Sequence, residues 1–180
     1  MSRRIVVSEF VTLDGVMEDP GGAERSQNGF GGWAFRFDRG DGGDRFKLDE
    51  LREADALLLG RKTYEGFAAA WPSMTDEQGF ADRMNSMQKY VVSATLTDPT
   101  WNNTRVIGID EIEDLDGTLL VGGSQQLVQT LLEHRLVDEV RLVLYPAAIG
   151  KGKKPFEVPT DFSLVSGERS GQVVLLVYRS

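Results

Sequence analysis

Strand-like and helix-like segments alternate along most of this sequence. Two apolar runs, Ala56–Leu59 and Leu119–Val121, each end at glycine, and each is followed at once by a helical pattern. Strands that alternate with helices assemble into a mostly parallel sheet, with the helices packed on both of its faces. The sequence therefore predicts an α/β fold built on a mostly parallel central sheet.

Hydrophobic periodicity places the individual elements. Strands are predicted at Ile5–Val11, Ala56–Leu59, Lys89–Ser93, Thr104–Ile109, Leu119–Val121, Glu139–Tyr145, Phe162–Ser166 and Gln172–Arg179. Helices are predicted at Asp44–Ala54, Thr63–Ala70, Asp76–Met87 and Ser124–His134. The last two strands have no helix between them, which favours a C-terminal antiparallel hairpin.

The amino-acid composition limits which classes of function are open to the chain. With 180 residues and a net charge of −8, the chain fits one domain over residues 1–180, and its acidic balance argues against nucleic-acid binding. The absence of Cys excludes disulfides, thiolate metal sites and thiol nucleophiles, and a single His leaves no two-His metal motif, so no metal is expected. The N-terminal apolar run, broken by Ser8 and Glu9, is too short for the apolar core of a signal peptide, and the other apolar runs are too short to span a bilayer. We therefore expect a cytoplasmic protein with no membrane partner.

The first glycine-terminated strand opens a helix with Arg61, Lys62 and Thr63, directly after Gly60. Cations at a helix N-terminus oppose the macrodipole, at about 0.3–1 kcal/mol each. That arrangement is explained if the backbone N–H groups and the cations together bind an anion. The alternative is that both side chains simply point to solvent.

The second such strand ends at Gly122-Gly123, followed by Ser124 and Gln125 at the start of a helix. This arrangement suits a phosphate or pyrophosphate. The alternative is a tight turn that needs only a positive φ. Two such helix ends in one sheet favour a ligand with several phosphates, such as a dinucleotide.

The segment Glu18–Gly43 is rich in glycine and aromatic residues, and nine of the 20 glycines lie between Gly15 and Gly43. Such a loop is typical of a lid or pocket wall, although a surface excursion that caps the core explains it equally well. Aromatic residues able to stack on a planar substrate are Trp33, Phe35, Phe37 and Trp71, with placement in the core as the alternative.

Ordered motifs along nearly the whole chain resemble the dihydrofolate reductase superfamily. They are Ser8–Gly15, Leu59-Gly60-Arg61-Lys62-Thr63-Tyr64, Tyr90–Ser93, Val121-Gly122-Gly123-Ser124, and Val137–Val140 leading to Pro146, Gly150, Gly152 and Phe156. Within the superfamily the sequence is most similar to stand-alone proteins related to the C-terminal reductase domain of the bifunctional riboflavin-biosynthesis deaminase/reductase. The deaminase half has no counterpart, because a chain without Cys lacks the zinc-deaminase signature.

The resemblance implies a three-layer sandwich that binds NADPH. By this resemblance, Gly60, Arg61, Lys62 and Thr63 hold cofactor phosphates, and Ser93 lies by the adenosine 2′-phosphate. The turn of Gly122, Gly123 and Ser124, with Gln125 after it, cradles the pyrophosphate. The extra phosphate of NADPH, compared with NADH, requires donors such as Arg61, Lys62 and Ser93.

Two carboxylates are candidates for the acid that protonates the reduced substrate. Asp44 is at the predicted start of the first helix, at a separation from the Gly-Arg motif comparable to that of the substrate-binding carboxylate in the similar folate enzymes. An ordinary N-cap is the alternative. Asp14 follows the first strand, where an Asp-Gly turn is the alternative.

These observations predict an NADPH-dependent reductase that transfers hydride to a small heterocyclic or carbonyl/imine substrate. A nucleotide- or ligand-binding module without turnover, on the same fold, is the alternative. The glycine-rich segment differs from the folate enzymes, so the substrate stays open. We expect a homodimer, since the late strands and the loop Lys151–Phe156 offer an interface.

Overall fold

A computed structural model describes residues 2–22 and 29–180. Within these ranges the chain forms one sheet of eight strands. In chain order the strands are β1 (Arg4–Thr12), β2 (Ala56–Gly60), β3 (Gln88–Val92), β4 (Thr104–Ile107), β5 (Thr118–Val121), β6 (Glu139–Tyr145), β7 (Ser163–Ser170) and β8 (Val173–Arg179). Every predicted strand is present, with bounds that differ by up to four residues.

Four α-helices connect the strands in the described ranges. They are α1 (Gly40–Glu53), α2 (Arg61–Ala70), α3 (Phe80–Ser86) and α4 (Gln125–Glu133). Short 3-10 helices are present at Trp33–Arg36, Trp71–Ser73 and Ile109–Asp114. No helix in the described part of the chain is both long and apolar enough to cross a membrane.

The strand order across the sheet is β4-β3-β2-β5-β1-β6-β8-β7. All pairs from β4 to β6 are parallel, whereas β8 pairs antiparallel with both β6 and β7. This confirms the expected α/β fold with a mostly parallel sheet and a C-terminal antiparallel hairpin.

Helices cover both faces of the sheet because alternate residues of each strand point to opposite sides. Leu58 packs with Val128 and Leu131 of α4 on one face. Its neighbours Leu57 and Leu59 pack on the other face, in a cluster that contains residues of α1, α2 and α3. A third cluster, around Trp33 and Tyr145, lies where β6 and β8 meet the segment before α1.

The chain order creates a crevice at one edge of the sheet. From β1 the chain passes over β5 to β2, and from β5 it returns past β1 to β6. In open α/β sheets, ligands bind outside the carboxyl ends of the strands where the direction of winding reverses. The ends of β1, β2 and β5 therefore meet where the sequence placed its candidate site.

The predicted start of the first helix at Asp44 is wrong, because α1 begins four residues earlier, at Gly40. The early start depends on the β7–β8 hairpin: Ser170 Oγ accepts the N–H of Gly43 at 2.9 Å and donates to Arg39 O at 2.6 Å. A hairpin remote in sequence thus caps the helix. Asp44 lies inside the helix, so it is not the N-cap.

The helix predicted at Asp76–Met87 is also shorter, beginning at Phe80. The carboxylate of Asp76 accepts the N–H groups of Gln78, Phe80 and Ala81 from outside the helix, which lowers its pKa. Gly79 is the N-cap, with φ of +81°. Asp76 therefore marks the turn before the helix.

Candidate functional site

The two glycine-terminated turns contact each other at the carboxyl edge of the sheet. The N–H of Gly60 donates to the carbonyl of Gly123 at 3.2 Å. A Cβ on Gly60 would collide with the Ser124 hydroxyl, and one on Gly123 would lie 2.9 Å from Thr63 Oγ1. Only glycine permits this approach, so the close contact itself explains both residues.

Both turns present backbone N–H groups toward this edge. The N-terminus of α2 follows Gly60 and has no side-chain cap. The N-terminus of α4 is capped by Ser124, whose Oγ accepts the N–H of Leu127 at 3.3 Å. The peptide bond between Gly123 and Ser124 is cis. Two helix N-termini therefore converge on one place, an arrangement that favours anion binding.

The two cations of α2 differ in their partners. The Arg61 guanidinium forms an ion pair with Glu65 at 3.0 Å, one turn further along the helix. Lys62 is exposed and has no hydrogen bond or ion pair with the residues that the structure describes. Arg61 thus gains a partner that offsets part of its cost at the helix N-terminus, while Lys62, beside Gly60, has no such partner in the described part of the chain.

Ser93 and Gln125 already have partners within the protein. Ser93, directly after β3, accepts the N–H groups of Thr95 and Leu96 at 3.1 and 3.0 Å and so orders the β3–β4 connection. Gln125 donates through Nε2 to the carbonyl of Lys154 at 2.9 Å. Both residues lie at the edge the sequence assigned to them, and both fix a loop there.

Asp14 is held as a carboxylate at the end of β1. It accepts hydrogen bonds from Thr12 Oγ1 at 2.5 Å and from the N–H groups of Ile149 and Gly150, the closest at 2.7 Å. The Thr12 hydroxyl and these backbone donors lower the pKa of Asp14 to about 2. A proton donor requires the opposite shift, so this geometry favours the turn-forming interpretation of Asp14.

Asp44 faces solvent on α1 and pairs with Arg39, with Nε and Oδ1 at 2.5 Å. The Arg39 guanidinium also lies over the Phe10 ring, 5.5 Å from its centroid, and beside the Tyr145 hydroxyl. Burial raises the pKa of Tyr145, against the effect of Arg39. Arg39 and Tyr145 therefore bring polar groups to the ends of β1 and β6, which the sequence did not indicate.

The aromatic residues predicted to line a pocket do not form one group. Trp33 is fully buried and packs edge-on against Tyr145 at 5.4 Å, with Phe37 on the same ring at 6.3 Å. Trp71 packs instead against Phe80 and Phe67, in the cluster of α2 and α3. Phe35 is 82% exposed. Residues 23–28 of the glycine-rich segment lie outside the described part.

A polar cluster between β1 and α1, missed by the sequence analysis, consists of Ser8, Lys47 and Glu50. The Ser8 hydroxyl lies 2.8 Å from both Glu50 carboxylate oxygens and 2.8 Å from Lys47 Nζ. Lys47 and Glu50 also form an ion pair, and their side chains are only 17% and 2% exposed. The available signal was Lys47 one helical turn before the core residue Leu51, which places a charge on the inner stripe of α1.

Comparisons with known proteins agree with this architecture. A sequence profile described as the RibD C-terminal domain matches residues 3–176. An uncharacterised protein of Bacillus subtilis (strain 168), YyaP, is 28% identical over 164 residues, which cover 86% of this chain and 80% of that protein.

Two solved structures share the fold at 20% sequence identity. A putative riboflavin biosynthesis protein from Shewanella sp. PV-4 superposes with a TM-score of 0.75, over 99% of this chain and 98% of that one. A diaminohydroxyphosphoribosylaminopyrimidine deaminase/5-amino-6-(5-phosphoribosylamino)uracil reductase from Thermotoga maritima gives 0.66, over 99% of this chain and 56% of that one. The present chain thus spans about half of the bifunctional protein.

Proposed function

We propose that this chain, which belongs to the RibD C-terminal domain family, is an NADPH-dependent reductase of a small heterocyclic or carbonyl/imine substrate. One observation carries the proposal: the Gly60 and Gly123–Ser124 turns contact each other and bring two helix N-termini to one edge of the sheet. Dinucleotides require several anion-binding groups in such a crevice.

The residues at this edge fit a phosphate-bearing cofactor. The absence of Cβ atoms on Gly60 and Gly123 lets the two turns contact each other, and Lys62 beside them is a cation without a partner among the described residues. Thr63, Ser124 and the N–H groups of α2 and α4 would hold the phosphates, and Arg61, Lys62 and Ser93 would favour NADPH over NADH. The nicotinamide, when bound, supplies a hydride.

A binding module that lacks turnover is the second candidate. It is favoured by the state of the two predicted acids, because Asp14 is held ionised and Asp44 is paired with Arg39. The two candidates share NADPH binding and differ in whether an acceptor is reduced.

Fluorescence titration with NADPH tests the shared step. Lys62→Ala should weaken NADPH binding about tenfold, and Arg61→Ala by a smaller factor because Glu65 already neutralises this cation. Arg52→Ala, on the exposed side of α1, is the control and should bind like the wild type. Affinities equal to the wild type in both α2 variants, or no saturable binding, would overturn the assignment of the phosphate site.

Oxidation of NADPH across a panel of pterins, pyrimidines and quinones then separates the two candidates. Consumption of NADPH with at least one acceptor supports the reductase. Saturable binding of NADPH, without its oxidation by any acceptor of the panel, supports the binding module.

A further inference from the structure

The cluster of Ser8, Lys47 and Glu50 forms a directed chain of hydrogen bonds. The Lys47 ammonium donates to Ser8 Oγ at 2.8 Å, and the Ser8 hydroxyl in turn donates to Glu50 at 2.8 Å. Lys47 also forms an ion pair with Glu50 directly. An ammonium has three N–H donors, and the described residues supply acceptors for two of them. The third N–H of Lys47 has no acceptor among the residues that the structure describes.

This cluster is a costly way to attach α1 to the sheet. The Glu50 side chain is 2% exposed and that of Lys47 is 17% exposed, so both charges are largely removed from water. Well-packed apolar side chains of similar size often stabilise a protein as well as a buried ion pair does. Buried charged groups next to a crevice are candidates for chemistry for this reason.

The cluster lies on β1 just beyond the carboxyl end of the neighbouring β5, whose last residue, Val121, pairs with Val7. Ser8 is on the face of β1 that α1 covers, and Phe10 follows it on the same face toward the carboxyl end of the strand. The Phe10 ring has Lys47 Nζ at 5.0 Å and the Arg39 guanidinium at 5.5 Å from its centroid, with Tyr145 edge-on at 5.4 Å. Polar and aromatic groups thus continue without a break from Ser8 to the carboxyl edge of the sheet.

We infer that Lys47 is the proton donor of the reductase, an inference that rests on the proposed function. As hydride is added to the carbon of a C=N or C=O bond, the electron pair of that bond moves to the nitrogen or oxygen, which takes a proton from Lys47 Nζ. Lys47 is left neutral and regains its proton from solvent water. The heteroatom of the substrate thereby receives its proton from an ammonium group, and neither Asp14 nor Asp44 is needed as the acid.

Ser8 and Glu50 act as positioning residues in this scheme. Ser8 accepts from the ammonium and fixes where Nζ lies, and the Glu50 carboxylate pairs with the same ammonium. Their replacement should lower the rate less than replacement of Lys47, because the proton itself remains.

The test uses the full-length protein with NADPH and whichever pterin, pyrimidine or quinone the wild type reduces. Lys47→Met should lower kcat by about 100-fold or more, the range typical of a lost general acid, with little change in KM for the acceptor, while the Kd for NADPH stays at the wild-type value. In Lys47→Ala, added methylammonium should restore part of the lost rate. Arg45→Met, on the exposed side of the same helix, is the matched control and should keep the wild-type kcat.

A double variant distinguishes chemistry from structure. Lys47→Met leaves the Glu50 charge without its partner and should destabilise the fold, whereas Lys47→Met with Glu50→Gln removes both charges and should recover the urea midpoint. A proton donor predicts that this recovered double variant stays slow. A kcat that recovers with stability, or a Lys47→Met kcat within threefold of the wild type, would overturn the inference. If the wild type reduces no acceptor, the reductase proposal itself fails, and this inference with it.

Discussion

A single buried residue, Lys89, holds together two segments whose contact the sequence did not predict. Its side chain is fully buried in β3, and Nζ donates to the carbonyls of Asn85, Met87 and Asn102 at 2.8–3.0 Å. The ammonium also lies 4.2 Å from the Trp101 ring centroid. Lys89 thereby joins the C-terminus of α3 to the β3–β4 connection, where the helix macrodipole favours a cation.

Replacing Lys89 tests this arrangement. Lys89→Met leaves three carbonyl groups without their donor, so we expect the free energy of unfolding to fall by about 2–4 kcal/mol. Lys62→Met, an exposed lysine on α2, should change it by less than about 0.5 kcal/mol. Urea denaturation at pH 7 measures both values, and equal midpoints for the two variants would contradict the role given to Lys89.

Burial of Lys89 also makes its contribution to the free energy of unfolding depend on pH. It lowers the pKa of Lys89 from 10.5 to about 8, so between these values the unfolded chain binds more protons than the folded one. The contribution of this group to stability therefore rises with pH across that window. The difference in unfolding free energy between wild type and Lys89→Met should grow from pH 8 to pH 10, and a constant difference would contradict it.

At the scale of single residues, the sequence predicted some parts of the candidate site and not others. The glycines at positions 60, 122 and 123 were recognisable because a buried strand that ends at glycine before a helix has few explanations. The partners of Asp14 and Lys47 were not recognisable, because they come from residues 149–150 and from β1. A hydrogen bond between distant segments leaves no local pattern.

Among the elements, the start of α1 depends most on the rest of the fold. Ser170 caps it, and Gly171, with φ of +55°, lies so close that a Cβ there would be 2.6 Å from Asp38 O. A Cβ on Gly42 would lie 2.8 Å from Ser170 Oγ. These contacts account for several glycines of the segment before and within α1: they allow the helix to pack directly on the β7–β8 turn.

Loss of the cap should loosen this helix end. We expect Ser170→Ala to lower the free energy of unfolding by about 1 kcal/mol and to increase hydrogen exchange at the Gly43 amide, since that N–H loses the nearer of its two acceptors and keeps only the Arg39 carbonyl at 3.2 Å. Ser163→Ala, at the exposed far end of β7, is the control and should change neither quantity. Protection of Gly43 that is unchanged in Ser170→Ala would show that the hairpin does not cap α1.

At the scale of the whole molecule, Glu139 links the two halves of the sheet. Its buried carboxylate pairs with Arg4 of β1, Arg141 of β6 and Arg179 of β8, the first at 2.5 Å. Burial raises the pKa of Glu139, but the three guanidinium groups outweigh this and hold it below its usual value. The carboxylate therefore stabilises the fold above the ordinary glutamate pKa of 4.5 and loses this effect as pH falls below it.

We expect Glu139→Gln to lower the free energy of unfolding at pH 7 by about 3 kcal/mol, because three arginines lose one shared partner. The difference from the wild type should shrink as pH falls below 4.5. Glu133→Gln, exposed at the end of α4, is the control. A loss that is the same at pH 3 and pH 7 would contradict the assignment of the effect to the carboxylate charge.

The homodimer stays a prediction at this scale. The edge strand β7 is exposed along nearly its whole length, and Leu164 and Val165 on it are 62% and 48% exposed. An open edge with apolar side chains is a surface that proteins usually cover. Sedimentation at micromolar concentration should give twice the monomer mass, and Leu164→Lys should shift the species to monomer. A wild-type protein that sediments as a monomer would contradict the prediction.

The amino-acid sequence by itself determined the strands, the connections between them and the two glycine-terminated turns. These features depend on the local periodicity of apolar residues and on the conformational freedom of glycine, both of which are set by residues close together in the sequence. Only the tertiary structure decided which charged groups meet: Lys47 with Ser8 and Glu50, Asp14 with residues 149–150, and Ser170 with Gly43. The reason is physical, since the energy of a buried polar group depends on partners that folding brings from distant parts of the chain.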